Sequence, residues 1–128
     1  MLIALDGMQF FSSEAISCEQ CRVTRTAKGG ERYDHRVLMA VQVMPGEETV
    51  LPLEMEFIHP QDGVEKQDCE LRAAERWLKK YGAFHARRRV TLLGDDLFSH
   101  VPFCQQVLGQ GMHFLFTCKP ESHPVVVE

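Results

Sequence analysis

The 128-residue sequence lacks any apolar run long enough to cross a bilayer as a helix, which sets aside a helical membrane protein. It also lacks a basic excess. Its 14 Lys and Arg against 18 Asp and Glu leave a net charge of −4. That balance argues against a surface that coats duplex nucleic acid. It does not exclude a nuclease-like core, whose metal-binding carboxylates are themselves negative. No charged leader runs into an apolar stretch and a small-residue cleavage site. The five cysteines are odd in number and scattered, unlike a secreted disulfide framework. The cytoplasm is the expected compartment, with no membrane partner. What is present is a chain 45% hydrophobic, enough for one ordinary core and hardly two, so residues 1–128 read as one domain.

Two stretches organise that domain. Leu2-Ile3-Ala4-Leu5-Asp6-Gly7 and Val90-Thr91-Leu92-Leu93-Gly94-Asp95-Asp96 are both short apolar runs that stop at carboxylates. Such runs read as buried strands, and Asp stays near a core only when paired or metal-bound. Strand-then-Asp, twice, places two carboxylates at one edge of a sheet. Open α/β sheets hold their ligands at that carboxyl edge.

Between them, Met8 to Ser12 continues as a short extended segment or turn. Residues 16–36, with the turn signal Gly29-Gly30, read as an exposed excursion. It contains Cys18-x2-Cys21, the spacing of half a zinc site, with His35 the nearby candidate to complete it and Asp34 as further help. Two reduced cysteines in a surface turn is the plainer alternative. A redox role fits poorly, because the pair leads into a basic, glycine-containing loop and not into a helix after a strand.

Arg36 to Met44 is a long apolar strand, ended by Pro45-Gly46. In Val50 to Ile58, Leu51, Leu53, Met55 and Phe57 alternate with Pro52, Glu54 and Glu56. This predicts a strand with the apolar set buried and the glutamates wet. A helix follows from Glu65 to Tyr81, with Asp62 and Glu65 as a capping box and Gly82 as its stop. Cys69, Ala73, Trp77 and Tyr81 form its apolar stripe, with Trp77 as core anchor. Arg87-Arg88-Arg89 precede the strand at Val90, at the end opposite Asp95. A short helix with Pro102 in its first turn and a strand over 112–118 complete the order β-β-β-α-β-α-β. In that α/β order the first three strands form a meander and the fourth returns beside the first, making Asp6 and Asp95 neighbours.

Paired carboxylates in a semi-buried cleft need a cation, and hard oxygen ligands suit Mg²⁺ or Mn²⁺. Two such ions can clamp the attacking and leaving oxygens of a phosphodiester. Asp95, directly after the strand and its glycine, is the preferred partner of Asp6. Asp96 is either a further ligand or the cap of the next turn. A working site needs a third acid, and Glu121 and Glu128 are poorly placed for it.

The residues Ala4-Leu5-Asp6-Gly7, Phe10-Phe11-Ser12-Ser13, Cys18-x2-Cys21, Pro60-Gln61-Asp62-Gly63-x-Glu65-Lys66-Gln67-Asp68-Cys69-Glu70 and Leu92-Leu93-Gly94-Asp95-Asp96-Leu97-Phe98 together resemble the catalytic domain of an IS4-like DDE transposase. The resemblance runs along the whole chain, which matches the front part of such a domain. It implies a truncated ribonuclease H-like fold, Asp6 and Asp95 as the first two acidic ligands of Mg²⁺ or Mn²⁺, DNA ends of an insertion sequence as partner, and a homodimer. It also implies DNA recombination by strand transfer in the full-length protein. The family's third ligand, a glutamate on a late helix, has no counterpart here, so this chain is expected to be inactive alone. Cys18 and Cys21 match a cysteine pair of some relatives. The alternative is a non-catalytic α/β binding module with zinc at Cys18, Cys21 and His35. A further reading is a stand-alone nuclease drawing a third carboxylate from Glu54 or Glu56.

Overall fold

The computed structural model describes residues 1–19, 21–59, 62 and 66–123, with no side-chain detail for 66–68. Its elements run β1 (Leu2–Ser13), β2 (Arg22–Arg25), β3 (Glu31–Val43), β4 (Leu51–Pro52), β5 (Glu56–Ile58), α1 (Lys66–Ala86), β6 (Thr91–Gly94), α2 (Val101–Gly109) and β7 (His113–Phe116). A single 3-10 turn, Asp96–Phe98, lies between β6 and α2.

All seven strands join one mixed sheet in the order β2-β3-β1-β6-β7, with β4 and β5 also paired to β3. β1 is antiparallel to β3 and parallel to β6, and β6 is parallel to β7. The meander followed by a fourth-strand return is therefore present. The arrangement agrees at a coarse level with a ribonuclease H-like topology.

Both helices contribute to one core cluster against the sheet. Ile3, Leu5, Leu38, Ala40 and Leu92 meet Ala73, Ala74, Trp77 and Leu78 of α1 and Phe103 and Val107 of α2. Trp77 is the anchor expected. It is fully buried, and its indole N–H satisfies itself on the Glu54 carbonyl at 3.0 Å. The reverse face of the sheet carries no helix among the described residues, and it exposes Met8, Phe10, Phe57 and Leu115.

Met8 to Ser12, expected as a short extended segment or a turn, takes the extended form as part of β1. That strand continues to Ser13, with a bulge between Gln9 and Phe11, because β3 is long enough to pair with it throughout. Several expectations are corrected. Residues 22–36 are not a loop. Val23 and Thr24 in β2 pair with Tyr33 and Arg32 in β3, around a turn where Gly29 takes φ 86°. The 50–58 run divides into two short strands, and its alternation is inverted. Glu56 is 5% exposed while Phe57 is 41% exposed, since α1 lays Arg76 and Lys80 over Glu56 at 3.0 and 2.9 Å.

Helix α1 runs past Gly82 to Ala86, taking in residues expected as linker. Gly82 is an interior position where a Cβ would meet Leu78 and Gln110 at 3.2 and 3.3 Å, so a small residue there lets the end of α2 come close. The extra turn stacks His85 on Trp77 at 5.6 Å between ring centres. Of the expected capping box, Glu65 lies outside the described residues. Asp62 instead accepts from His59 N–H at 2.8 Å and from Arg76 Nη2 at 2.7 Å. The tail from Pro124 and the motif residues Pro60, Gln61 and Gly63 also lie outside them.

Candidate metal centres

The turn that precedes β2 and one residue of β3 build the first centre. Cys21 sits immediately before β2, and Cys18 is one tight turn earlier, where the Cys21 N–H donates to the Cys18 carbonyl at 3.2 Å. His35 comes from β3, opposite Phe11 of β1. Its ring lies 6.2 Å from those of Phe11 and Phe57, which fix its plane.

Its Nε2 is 3.2 Å from Cys18 Sγ and 3.3 Å from Cys21 Sγ, and the two sulfurs are 3.5 Å apart. The three donor atoms all lie within 4.8 Å of one another, which makes this a cluster able to chelate a metal ion. Tetrahedral zinc with sulfurs at about 2.3 Å and nitrogen at about 2.0 Å needs donors about 3.5–3.8 Å apart. The triangle fits after widening by a few tenths of an ångström. Soft thiolates with imidazole favour zinc over Mg²⁺. Burial pushes the Cys21 thiol up, against the pull of the Cys18 N–H on its sulfur. A cation at the centre would displace that proton, because the ligand form is the thiolate.

The second pair lies at the carboxyl edge. β1 and β6 pair Leu2 with Thr91, Ile3 with Leu92 and Ala4 with Leu93. Two residues further on, the same register reaches Asp6 and Asp95. Both are exposed, and they share a shallow cleft floored by Ala4, Leu93, Gly94 and Thr117. Asp6 Oδ1 accepts from the Gly7 N–H at 2.9 Å, and Asp95 Oδ1 from the Leu97 N–H at 3.0 Å. Neither has an ion-pair partner among the described residues. Gly94 is required here by packing, because a Cβ would come within 2.7 Å of the Phe98 ring.

No family model, curated protein or solved structure matches the chain.

Asp95, and not Asp96, is the residue that caps the 3-10 turn after β6, while facing the cleft. Asp96 is turned inward, where the Lys119 N–H donates to Oδ1 at 2.7 Å and His123 Nε2 is 3.0 Å away. The Lys119 hydrogen bond holds the Asp96 carboxyl below the ordinary carboxylate range, with burial opposing and Ser122 and His123 adding to the lowering. Asp96 is thus tied to the chain leaving β7.

No third Asp, Glu, His or Cys joins Asp6 and Asp95 in a cluster among the described residues. Glu54 and Glu56 are engaged on the helix-covered face, by His85 at 2.9 Å and by Arg76 and Lys80. Glu70 is the residue the sequence did not single out. It is 3% exposed, ion-paired to Arg36 at 3.4 Å, and pressed against Gly7 directly behind Asp6. Its place four residues before Ala74, on the inner side of α1, was the available signal.

Proposed function

We propose that this chain is a metal-binding α/β module in which Cys18, Cys21 and His35 hold a zinc-type ion that fastens the β2–β3 hairpin to the sheet. The convergence of two sulfurs and one imidazole nitrogen within 4.8 Å supports it. Elemental analysis of the purified protein tests it, with one zinc per chain expected. The Cys18→Ser and His35→Ala variants should each lose most of that zinc. A folded wild type without zinc that also fails to take it up on titration would overturn the assignment.

A second reading is favoured by a different observation, the cleft beyond the β1–β6 pairing that Asp6 and Asp95 both line. In it the module is the front part of an IS4-like DDE transposase catalytic domain with a ribonuclease H-like core, residues 1–128 forming its scaffold. Asp6 and Asp95 are the first two acidic ligands, and DNA ends of a mobile element are the partner, engaged by a homodimer in the cytoplasm. Mg²⁺ or Mn²⁺ bound there would supply Lewis-acid stabilisation of charge on a phosphodiester. The chain's own part is to hold one carboxylate on β1 and the other at the turn that directly follows β6, and to keep Asp96 out of the cleft. Two carboxylates without a third leave the site short of a full ligand set, so strand transfer by this chain alone is not expected. Titration with Mn²⁺ of wild type, Asp6→Asn and Asp95→Asn is the test. The variants should bind at least tenfold more weakly, and equal binding by all three removes this reading. The two readings are compatible, since the zinc-type ligands lie before β2 and on β3 while the carboxylates lie on β1 and just after β6.

A further inference from the structure

The hairpin that the Cys18–Cys21–His35 centre fastens carries a charge unlike the rest of the chain. Residues 22–36 hold five of the 14 Lys and Arg but only two of the 18 Asp and Glu. Arg22, Arg25, Lys28 and Arg32 are all exposed, and none has an ion pair among the described residues. The two acids that face them across the hairpin are turned to other uses. Glu31 opposes Arg25 but accepts the Tyr33 hydroxyl at 2.8 Å. Asp34 opposes Arg22 but is 7% exposed, inside the sheet. Glu14 lines the same surface pocket as Arg25, Lys28 and Arg32 but forms no ion pair with them among the described residues, so the arm carries an excess of positive charge on an acidic domain.

The arm is an extension of the strands that hold Asp6. β1 and β3 continue beyond Asp6 and Met39, which face each other, and β2 adds to the far part of β3. Counting along β3 from Met39 to the partners of Arg22 and Arg25, the arginines lie roughly 17 to 27 Å from Asp6, at about 3.4 Å per residue. That is about five to eight base pairs along a duplex rising about 3.4 Å per step.

We infer that the β2–β3 hairpin is a phosphate-contact arm for duplex DNA. It grips the backbone within one helical turn of the strand segment presented to Asp6 and Asp95. The inference deepens the transposase-type reading by assigning a DNA-contacting element to it. Contacts of this kind position a duplex without reading its sequence. Arginines on both faces of the hairpin and Lys28 at its turn suit a groove-edge grip on successive phosphates. A metal at the base would add to the support that β1 gives β3 as far as Tyr33, beyond which the arm is two-stranded.

The experiment is fluorescence anisotropy of a labelled duplex with the full chain, zinc retained and no Mg²⁺ or Mn²⁺ added, across about 50–200 mM salt. Wild type should bind with a steep salt dependence. The Arg22→Ala, Arg25→Ala, Lys28→Ala, Arg32→Ala quadruple variant should lose at least tenfold in affinity. Its slope of log affinity against log salt should become shallower by about 3 to 4, near 0.9 for each lost phosphate contact. Should that variant fail to fold, Arg25→Gln with Lys28→Gln, remote from the metal ligands, should make the slope shallower by about 2. Arg87→Ala, Arg88→Ala, Arg89→Ala at the other end of the sheet should bind as wild type does.

Asp6→Asn should keep DNA binding while losing Mn²⁺ binding, which separates failure of the arm from failure of the carboxylate pair. Absence of salt-dependent binding by wild type would overturn the inference. So would an unchanged slope in the arm variants, a loss confined to the Arg87–Arg89 variant, or tighter binding to polyglutamate than to the duplex.

Discussion

Cys18 Sγ and His35 Nε2 approach to 3.2 Å although they belong to different elements, one in the turn before β2 and the other within β3. An ion joining them ties the root of the hairpin to the middle of the sheet.

The first consequence is a dependence of stability on metal. A ligand that binds only the folded chain stabilises it by about 2.7 kcal/mol when its free concentration is a hundred times its dissociation constant. Chelation should therefore lower the thermal midpoint by several degrees, and re-addition of zinc should restore it. Cys18→Ser should begin at the lower midpoint and ignore the chelator. Midpoints followed by circular dichroism check this, and a wild type indifferent to chelator would count against a structural ion.

A second prediction concerns Gly94. A methyl at this position would stand 2.7 Å from Phe98 and 3.2 Å from Phe116, both part of the packing beneath the cleft. Overfilling of this kind costs about 1–3 kcal/mol. Gly94→Ala should unfold at correspondingly lower urea while keeping its zinc, because the Cys18–Cys21–His35 centre is on other strands. An Ala variant as stable as wild type would show that Phe98 can move aside without cost.

Acid should loosen the chain leaving β7. The Asp96 carboxyl is held below its ordinary value, first by the Lys119 N–H. A carboxyl depressed in the folded state contributes stability that is fully present above its unfolded pKa, near about 3.9. That contribution is lost as pH falls through the folded value. Urea midpoints should thus drop as pH is lowered below about 4. Asp96→Asn should start lower at neutral pH and show a shallower decline. An identical decline in both proteins would place the acid sensitivity elsewhere.

How much of this was legible in the sequence depends on the range of the forces involved. The order of main elements and the adjacency of Asp6 and Asp95 follow from apolar runs that end in carboxylates, and the observed strand register agrees with that adjacency. The zinc-type cluster was legible from Cys18-x2-Cys21 and a nearby His35, because all three lie within a short stretch of chain. The inverted strand at Glu54 to Phe57 was not. Alternation gives two faces but not which one a helix will cover, and Arg76, Lys80 and His85 made the glutamate side the inner one. Gly82 misled for a similar reason, since a glycine that would stop an isolated helix is retained where another helix end packs upon it. Asp96 is turned away from the cleft by Lys119, a distant partner that no local spacing announces.

The register that unites Asp6 with Asp95 also sets an order of assembly. Cys18 and His35 of the candidate metal cluster are 17 residues apart, whereas β1 and β6 pair residues 89 apart, as Leu2 with Thr91. Closing the longer loop costs about 1.5 kcal/mol more in chain entropy. On a ribosome, the cysteines, the histidine and the hairpin have all emerged before the first residue of β6 is made. The hairpin and its metal-ligating cluster can thus form while Asp6 still faces solvent alone, and the carboxylate pair is completed late, by the strand that closes the middle of the sheet.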